Sequence, residues 1–141
     1  MLVCFDSSAL VKLLVEEQGS QDAATLWDEA DAVVASRLVV PEVAAALAAA
    51  ARARRLDEAQ LRAALATWHG YLPALRLVEL TPESAALAAG LAGELVLGGA
   101  DAVHLASALA LDDGQPVLAA WDRRLWAAAR SAGLRVAPAH L

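Results

Sequence analysis

The stretch Leu2-Val3-Cys4-Phe5-Asp6-Ser7-Ser8 constrains this chain more than any other. An apolar run that halts on an aspartate and passes at once into the amphipathic segment Ala9 to Glu17 has the pattern of a buried parallel strand feeding a helix. The acid then sits at the strand's carboxyl end. In open α/β sheets ligands bind outside that end, so an aspartate there either caps the next helix or belongs to a site. Taken alone, Asp6 reads as a cap. The arrangement recurs, however. Pro116 to Trp121 is another apolar run that stops on an acid, Asp122, and Asp101 and Glu42 each stand near the start of a helical segment.

In chain order, Ser20 to Ala30 has helical periodicity with a serine cap, and Ala32 to Ala35 reads as a second buried strand. Ser36 closes it and caps a long helix running to about Arg55. Pro41 near the start of that helix is tolerated in a first turn, which places regular helix from about Val40 or bends it there. Asp57 to about Leu72 is a helix with an acidic cap, Arg76 to Leu80 a strand, and Thr81-Pro82-Glu83-Ser84 a strong helix start. That helix runs to about Val96 and ends at Gly98-Gly99. Ala102 to Leu111 is helical, Asp112-Asp113-Gly114 a turn, Arg123 to Ala132 a helix stopped by Gly133, and Leu134 to Val136 a last short strand. Strands alternating with helices imply crossover connections and a parallel sheet of four to five strands covered on both faces. With 141 residues the chain is expected to form one domain, 1–141, burying roughly two-thirds of its unfolded surface.

Because parallel strands point one way, Asp6 and Asp122 must share an edge of that sheet, and the helices opened by Glu42 and Asp101 can deliver their acids to it. Four carboxylates in one cleft repel one another unless protons or a cation compensate them. All-oxygen ligation of that kind suits Mg²⁺ or Mn²⁺. The net charge of −6 argues against a protein that coats nucleic acid by bulk electrostatics, but not against an enzyme acting on it. Arg52-Arg54-Arg55 and Arg123-Arg124 are local clusters that can meet phosphates, although each also reads as a solvated helix end. The single cysteine, Cys4, has no partner for an internal disulfide, which suits a reducing cytoplasm. No basic leader precedes Asp6, and no apolar stretch approaches the roughly 20 residues a bilayer requires, so neither a secretory signal nor a membrane location is expected.

Asp6-Ser7-Ser8, Glu42 six residues after Ser36, the block Asp101-Ala102-Val103-His104-Leu105-Ala106-Ser107-Ala108, and Trp121-Asp122-Arg123-Arg124-Leu125 together resemble the four signature segments of PIN-domain ribonucleases. The VapC toxin branch matches best, and the segments occur in order over nearly the whole chain. The resemblance implies a three-layer α/β/α sandwich, RNA as substrate, a homodimer, and a small VapB-like antitoxin. It also implies metal-assisted hydrolysis of a phosphodiester, with Asp6, Glu42 and Asp101 holding Mg²⁺ or Mn²⁺ and Asp122 completing the shell or holding a second ion. Ser7 and Ser8 would orient the carboxylate of Asp6, and Arg123 and Arg124 are candidate RNA contacts. His104 is expected to be structural, since a magnesium site does not call for imidazole. Ala120 departs from the pattern, standing where relatives often carry threonine or serine, which removes a potential hydrogen bond near Asp122.

Other readings share the alternation and fail on residues. A receiver domain wants paired acids after its first strand and a late lysine, but Lys12 is the only lysine and lies in the first helix. A haloacid-dehalogenase phosphatase wants an aspartate where Ser8 stands, and no glycine fingerprint for dinucleotides follows the first strand. The remaining alternatives are a non-catalytic interaction module on the same scaffold and a nuclease for other nucleic acid. Metal-dependent RNA cleavage separates them. The antitoxin is expected to place an arginine or lysine against Asp6, Glu42 or Asp101 and to approach over the small side chains of the alanine-rich helix after Glu42.

Overall fold

The computed structural model describes residues 1–112 and 114–141. Its centre is a sheet of strands β1 (Leu2–Phe5), β2 (Ala32–Ser36), β3 (Leu75–Val78), β4 (Val117–Ala119) and β5 (Arg135–Ala137) in the order β3-β2-β1-β4-β5. Every pairing is parallel; Cys4 stands opposite Val34 on one side and Leu118 on the other. Strand residues alternate between faces, and both faces are covered. Val3, Phe5, Val33, Ala35 and Ala119 enter a core with α1 (Ser7–Lys12), α2 (Ser20–Glu29), α3 (Val39–Arg52) and α4 (Glu58–Tyr71). Cys4, Leu118 and Ala120 enter a second core with α5 (Pro82–Leu95), α6 (Gly99–Leu109) and α7 (Arg123–Ser131). The α/β/α sandwich expected from the sequence is therefore present, with β5 as the fifth strand.

The first core carries an aromatic chain in which Phe5 meets Trp27 edge-on at 5.5 Å, and Trp27 meets Tyr71 at 4.6 Å. The second core is built largely of Ala and Leu, so α6 lies close against the sheet with Ala102, Leu105, Ala106 and Ala108 buried. No single helix is long and apolar enough to cross a membrane.

Several local expectations are corrected. The first helix ends at Lys12 rather than Glu17, where tight turns from Leu10 and Val11 and the left-handed Gly19 (φ 89°) redirect the chain. Ser20 is not a cap: Gly19 is, and the buried Ser20 hydroxyl instead bridges the Glu17 N–H and the Val15 carbonyl. Ser36 accepts the Leu38 N–H at 3.3 Å, but α3 has no side-chain cap of its own. Pro41 lies in the first turn of α3, where its missing N–H is harmless. The end of α5 is made by Val96 in the left-handed conformation (φ 55°), two residues before the expected Gly98-Gly99, and Gly98 caps α6. Asp57 and Thr81 are the caps expected, and each completes a capping box, with Gln60 and Ser84. The turn expected at Asp112-Asp113-Gly114 includes Asp113, which lies outside the described residues.

Candidate active site

The strand order reverses at β1, which is followed in sequence by β2 on one side and flanked by β4 on the other. That switch point opens a crevice beyond the carboxyl ends of β1 and β4, the place where α/β sheets bind ligands. Asp6 leaves β1 there, its N–H bonded to the Ala119 carbonyl at the end of β4 (3.1 Å), and Asp122 follows β4 on the same edge. The cap and site readings of both acids are compatible. Asp6 Oδ1 accepts the Ala9 N–H at 2.8 Å, and Asp122 Oδ1 accepts those of Arg124 and Leu125 at 2.9 and 3.0 Å. In each case Oδ2 takes no backbone N–H from a described residue.

Ser8 meets the expectation made for it. Its hydroxyl lies 2.7 and 2.8 Å from the two Asp6 oxygens and accepts the Trp121 N–H at 2.9 Å, so α1 and the end of β4 jointly fix one carboxylate. This linkage also binds the β4 end that the Ala120 departure leaves without a hydroxyl; Ala120 itself is fully buried. Ser7 differs from expectation, since its hydroxyl turns to Glu42 Oε2 (3.4 Å) and not to Asp6. The other Glu42 oxygen meets His104 Nε2 at 2.6 Å. His104 is 2% exposed, so it is packed as expected, but it is also in direct contact with a site carboxylate, which the sequence reading did not foresee. The available signal was its spacing: three residues after Asp101 on one helix, it shares that acid's face.

The electrostatics tie these groups into one network. Burial pushes the Asp6 carboxyl up from an ordinary 3.8 to about 6, against the hydrogen bonds of Ser8 and Ala9, with Asp101 adding repulsion. Asp101 is pushed up by partial burial and by the charges of Asp122 and Glu42, which His104 and Arg124 oppose. Burial disfavours the His104 imidazolium, but the hydrogen bond and charge of Glu42, with Asp6 and Asp101 behind them, outweigh it and raise its pKa. The imidazole Nδ1 is buried and without a partner. The Cys4 thiol is pushed up to about 12 by burial and by Asp6, which makes it inert.

The four carboxylates thus share one electrostatic field, but as placed no three His, Cys, Asp or Glu side chains among the described residues are close enough to hold one ion. Glu42 is turned to His104 and Ser7, and Asp6 to Ser8 and Ala9. The donor set is nonetheless hard oxygen with excess negative charge that burial makes costly, which fits Mg²⁺ or Mn²⁺ and no soft metal.

The family profile described as the PIN domain matches residues 3–130. This chain belongs to the PIN-domain family. It is 55% identical over 140 residues to Ribonuclease VapC45 of Mycobacterium tuberculosis (strain CDC 1551 / Oshkosh) and equally to Ribonuclease VapC49 of Mycobacterium tuberculosis (strain ATCC 25618 / H37Rv). Each alignment spans 99% of this chain and 97% of the relative, which places this PIN domain among the VapC ribonucleases. Among solved structures it resembles PAE2754 from Pyrobaculum aerophilum (TM-score 0.71, 23% identity, 96% of this chain and 83% of that one). It also resembles VapBC2 from Rickettsia felis bound to a DNA fragment from their promoter (TM-score 0.64, 14% identity, 96% and 97%). At those identities the two structures speak for the fold.

Proposed function

We propose that this PIN domain is a Mg²⁺- or Mn²⁺-dependent endoribonuclease that hydrolyses RNA phosphodiester bonds as the toxin of a VapBC-type pair. The observation that carries the proposal is the coupled set Asp6, Glu42, Asp101 and Asp122 at the switch point of the sheet, in a chain 55% identical to two VapC ribonucleases. Asp6, Glu42 and Asp101 would hold the cation, with Asp122 completing the shell. The ion supplies Lewis acidity, lowering the pKa of an attacking water and neutralising charge on the phosphate.

The chain's own groups supply order. Ser8 and the Ala9 N–H hold the Asp6 carboxylate in one pose, and His104 and Ser7 hold Glu42 in a pose it has to leave to meet a cation shared with Asp6 and Asp101. Burial of Asp6 keeps water away from it and strengthens its interaction with any cation. The exposed Arg123 and Arg124, at the start of α7, are placed to meet the phosphates of the substrate. A homodimer acting in the cytoplasm, and a VapB-like antitoxin that sets a basic side chain against the acids, complete the proposal. The antitoxin is supported by the relatives' VapC names and by the exposed Ala44, Ala45 and Ala49 of α3, over which a partner helix can pass closely.

The test is cleavage of a panel of defined structured RNAs with magnesium, manganese or chelator, beside Asp101→Asn. We expect metal-dependent cleavage by the wild type and loss of at least a hundredfold in Asp101→Asn with the fold intact, since the swap removes a charge at nearly constant shape. Metal-independent cleavage, or an active Asp101→Asn at limiting metal, would refute the assignment.

A further inference from the structure

Two cavities lie beside the acids and share a wall. The smaller, about 350 Å³, is bounded by Ser7 and Ser8, whose hydroxyls bond Glu42 and Asp6, and by Arg55. The larger, about 530 Å³, is bounded by Gln18, Asp22, Arg123 and His140. Lys12, Glu17 and Trp121 line both.

That indole is held from three directions. Its backbone N–H is bonded to Ser8 Oγ (2.9 Å). The Lys12 ammonium lies 5.5 Å from the ring centroid and is itself fixed by Glu17 (3.0 Å) and the Gln18 carbonyl (2.7 Å). Gly19, left-handed at φ +89°, comes so near that a Cβ there would lie 2.5 Å from Nε1. Because Lys12 and Glu17 neutralise each other, the charges left over are those at the two ends. Arg55 and Arg123 are exposed, and neither forms an ion pair with a described residue; Asp22 shares the larger cavity with Arg123.

An immobilised aromatic with a guanidinium in each flanking cavity, linked to the carboxylates through the hydroxyls of Ser7 and Ser8, fits one chemistry well. A flat base rests on the indole while flanking phosphates meet the arginines, the way single-stranded nucleic acid is held without reading its sequence. A chain of net charge −6 needs such a local arrangement to draw in a polyanion past its own acids. We propose that Trp121, Arg55 and Arg123 form a subsite for single-stranded RNA that seats the nucleotide next to the bond to be cut. Trp121 positions the base, and the two arginines hold phosphates on either side of it.

The proposal rests on the ribonuclease reading, and its test separates the two. In the Asp101→Asn background, binding of a fluorescein-labelled single-stranded RNA is followed by anisotropy over a range of salt. Trp121→Leu, Trp121→Phe and the double variant Arg55→Gln/Arg123→Gln are compared, and Mn²⁺ titration of the same substitutions with Asp101 intact is the control for the acid site. We expect Trp121→Leu to weaken RNA binding about tenfold and Trp121→Phe to remain within about threefold of the parent. The double arginine variant should lower the salt slope by about 1.4. Mn²⁺ affinity should not change. The same substitutions in the active chain should raise KM more than they lower kcat. If Trp121→Leu fails to fold, the surface double variant still decides. RNA affinity unchanged in a folded Trp121→Leu, or a salt slope unchanged in the double variant, in a chain that cleaves RNA, overturns the subsite alone; no cleavage and no RNA binding by any form overturns the ribonuclease reading and the subsite with it.

Discussion

Asp6 shows how one side chain serves fold and site together. As a cap it anchors α1 through Oδ1, and as an acid it is 3% exposed among other acids, a position that disfavours its charge. Its pKa, raised from 3.8 to about 6, makes stability depend on pH. A raised folded-state value means the folded protein keeps a proton that the unfolded chain has released. The stabilisation is therefore full below about pH 4 and is lost as pH rises through about 6. His104, also raised, extends the loss above its ordinary 6.5. The displacement of Asp6 corresponds to roughly 3 kcal/mol at most. We predict that in chelator the wild type loses stability relative to Asp6→Asn as pH is raised from 4.5 to 7, read by urea denaturation. Parallel curves for the two proteins would show that the buried carboxyl titrates normally.

Among the elements, α5 is closed in an unusual way. Its left-handed C-cap is Val96, a β-branched residue that is 82% exposed and so gains nothing from packing in return. The left-handed conformation places Cβ against the following carbonyl, which glycine avoids. Val96→Gly should therefore stabilise the protein by about 1 kcal/mol, the conformational relief exceeding the extra freedom glycine gives the unfolded chain. Thermal denaturation checks it, and a destabilised variant would place a function on the Val96 side chain. The contrast with α4 is instructive. There Asp57 and Gln60 exchange two hydrogen bonds at the N-terminus, and Asp57→Ala is expected to cost about 1 kcal/mol.

Across the whole molecule, the sheet gathers acids from four separate segments, and the opposition of His104 and Arg124 does not keep Asp6 and Asp101 from being raised. A divalent ion that binds only the folded state adds stability by mass action, with relief of that repulsion as the source. Manganese should raise the melting temperature of the wild type more than that of Glu42→Gln. Equal shifts would place Glu42 outside the coordination shell and leave it as the partner of His104 alone.

How much of this was legible beforehand divides along a physical line. Whatever depends on local periodicity and on the direction of parallel strands could be read from the chain. Apolar runs ending on Asp6 and Asp122 define buried strands whose carboxyl ends must share an edge, and the capping boxes at Asp57 and Thr81 are spelled out within four residues. Contacts between side chains distant in sequence were decided only by the packing of elements. Ser7 turns to Glu42 while Ser8 turns to Asp6, because α1 passes between the start of α3 and the end of β4. His104 becomes the neighbour of Glu42, 62 residues away, because α6 packs on β2 and the start of α3 follows the end of that strand. Trp121 reads as one more residue of an apolar strand, yet it stands between two cavities, because Lys12 at the end of α1 and Gly19 in the loop after it come to its ring. Hydrogen bonds and cavities of this kind depend on ångström distances across the fold, and a one-dimensional pattern carries no such distances.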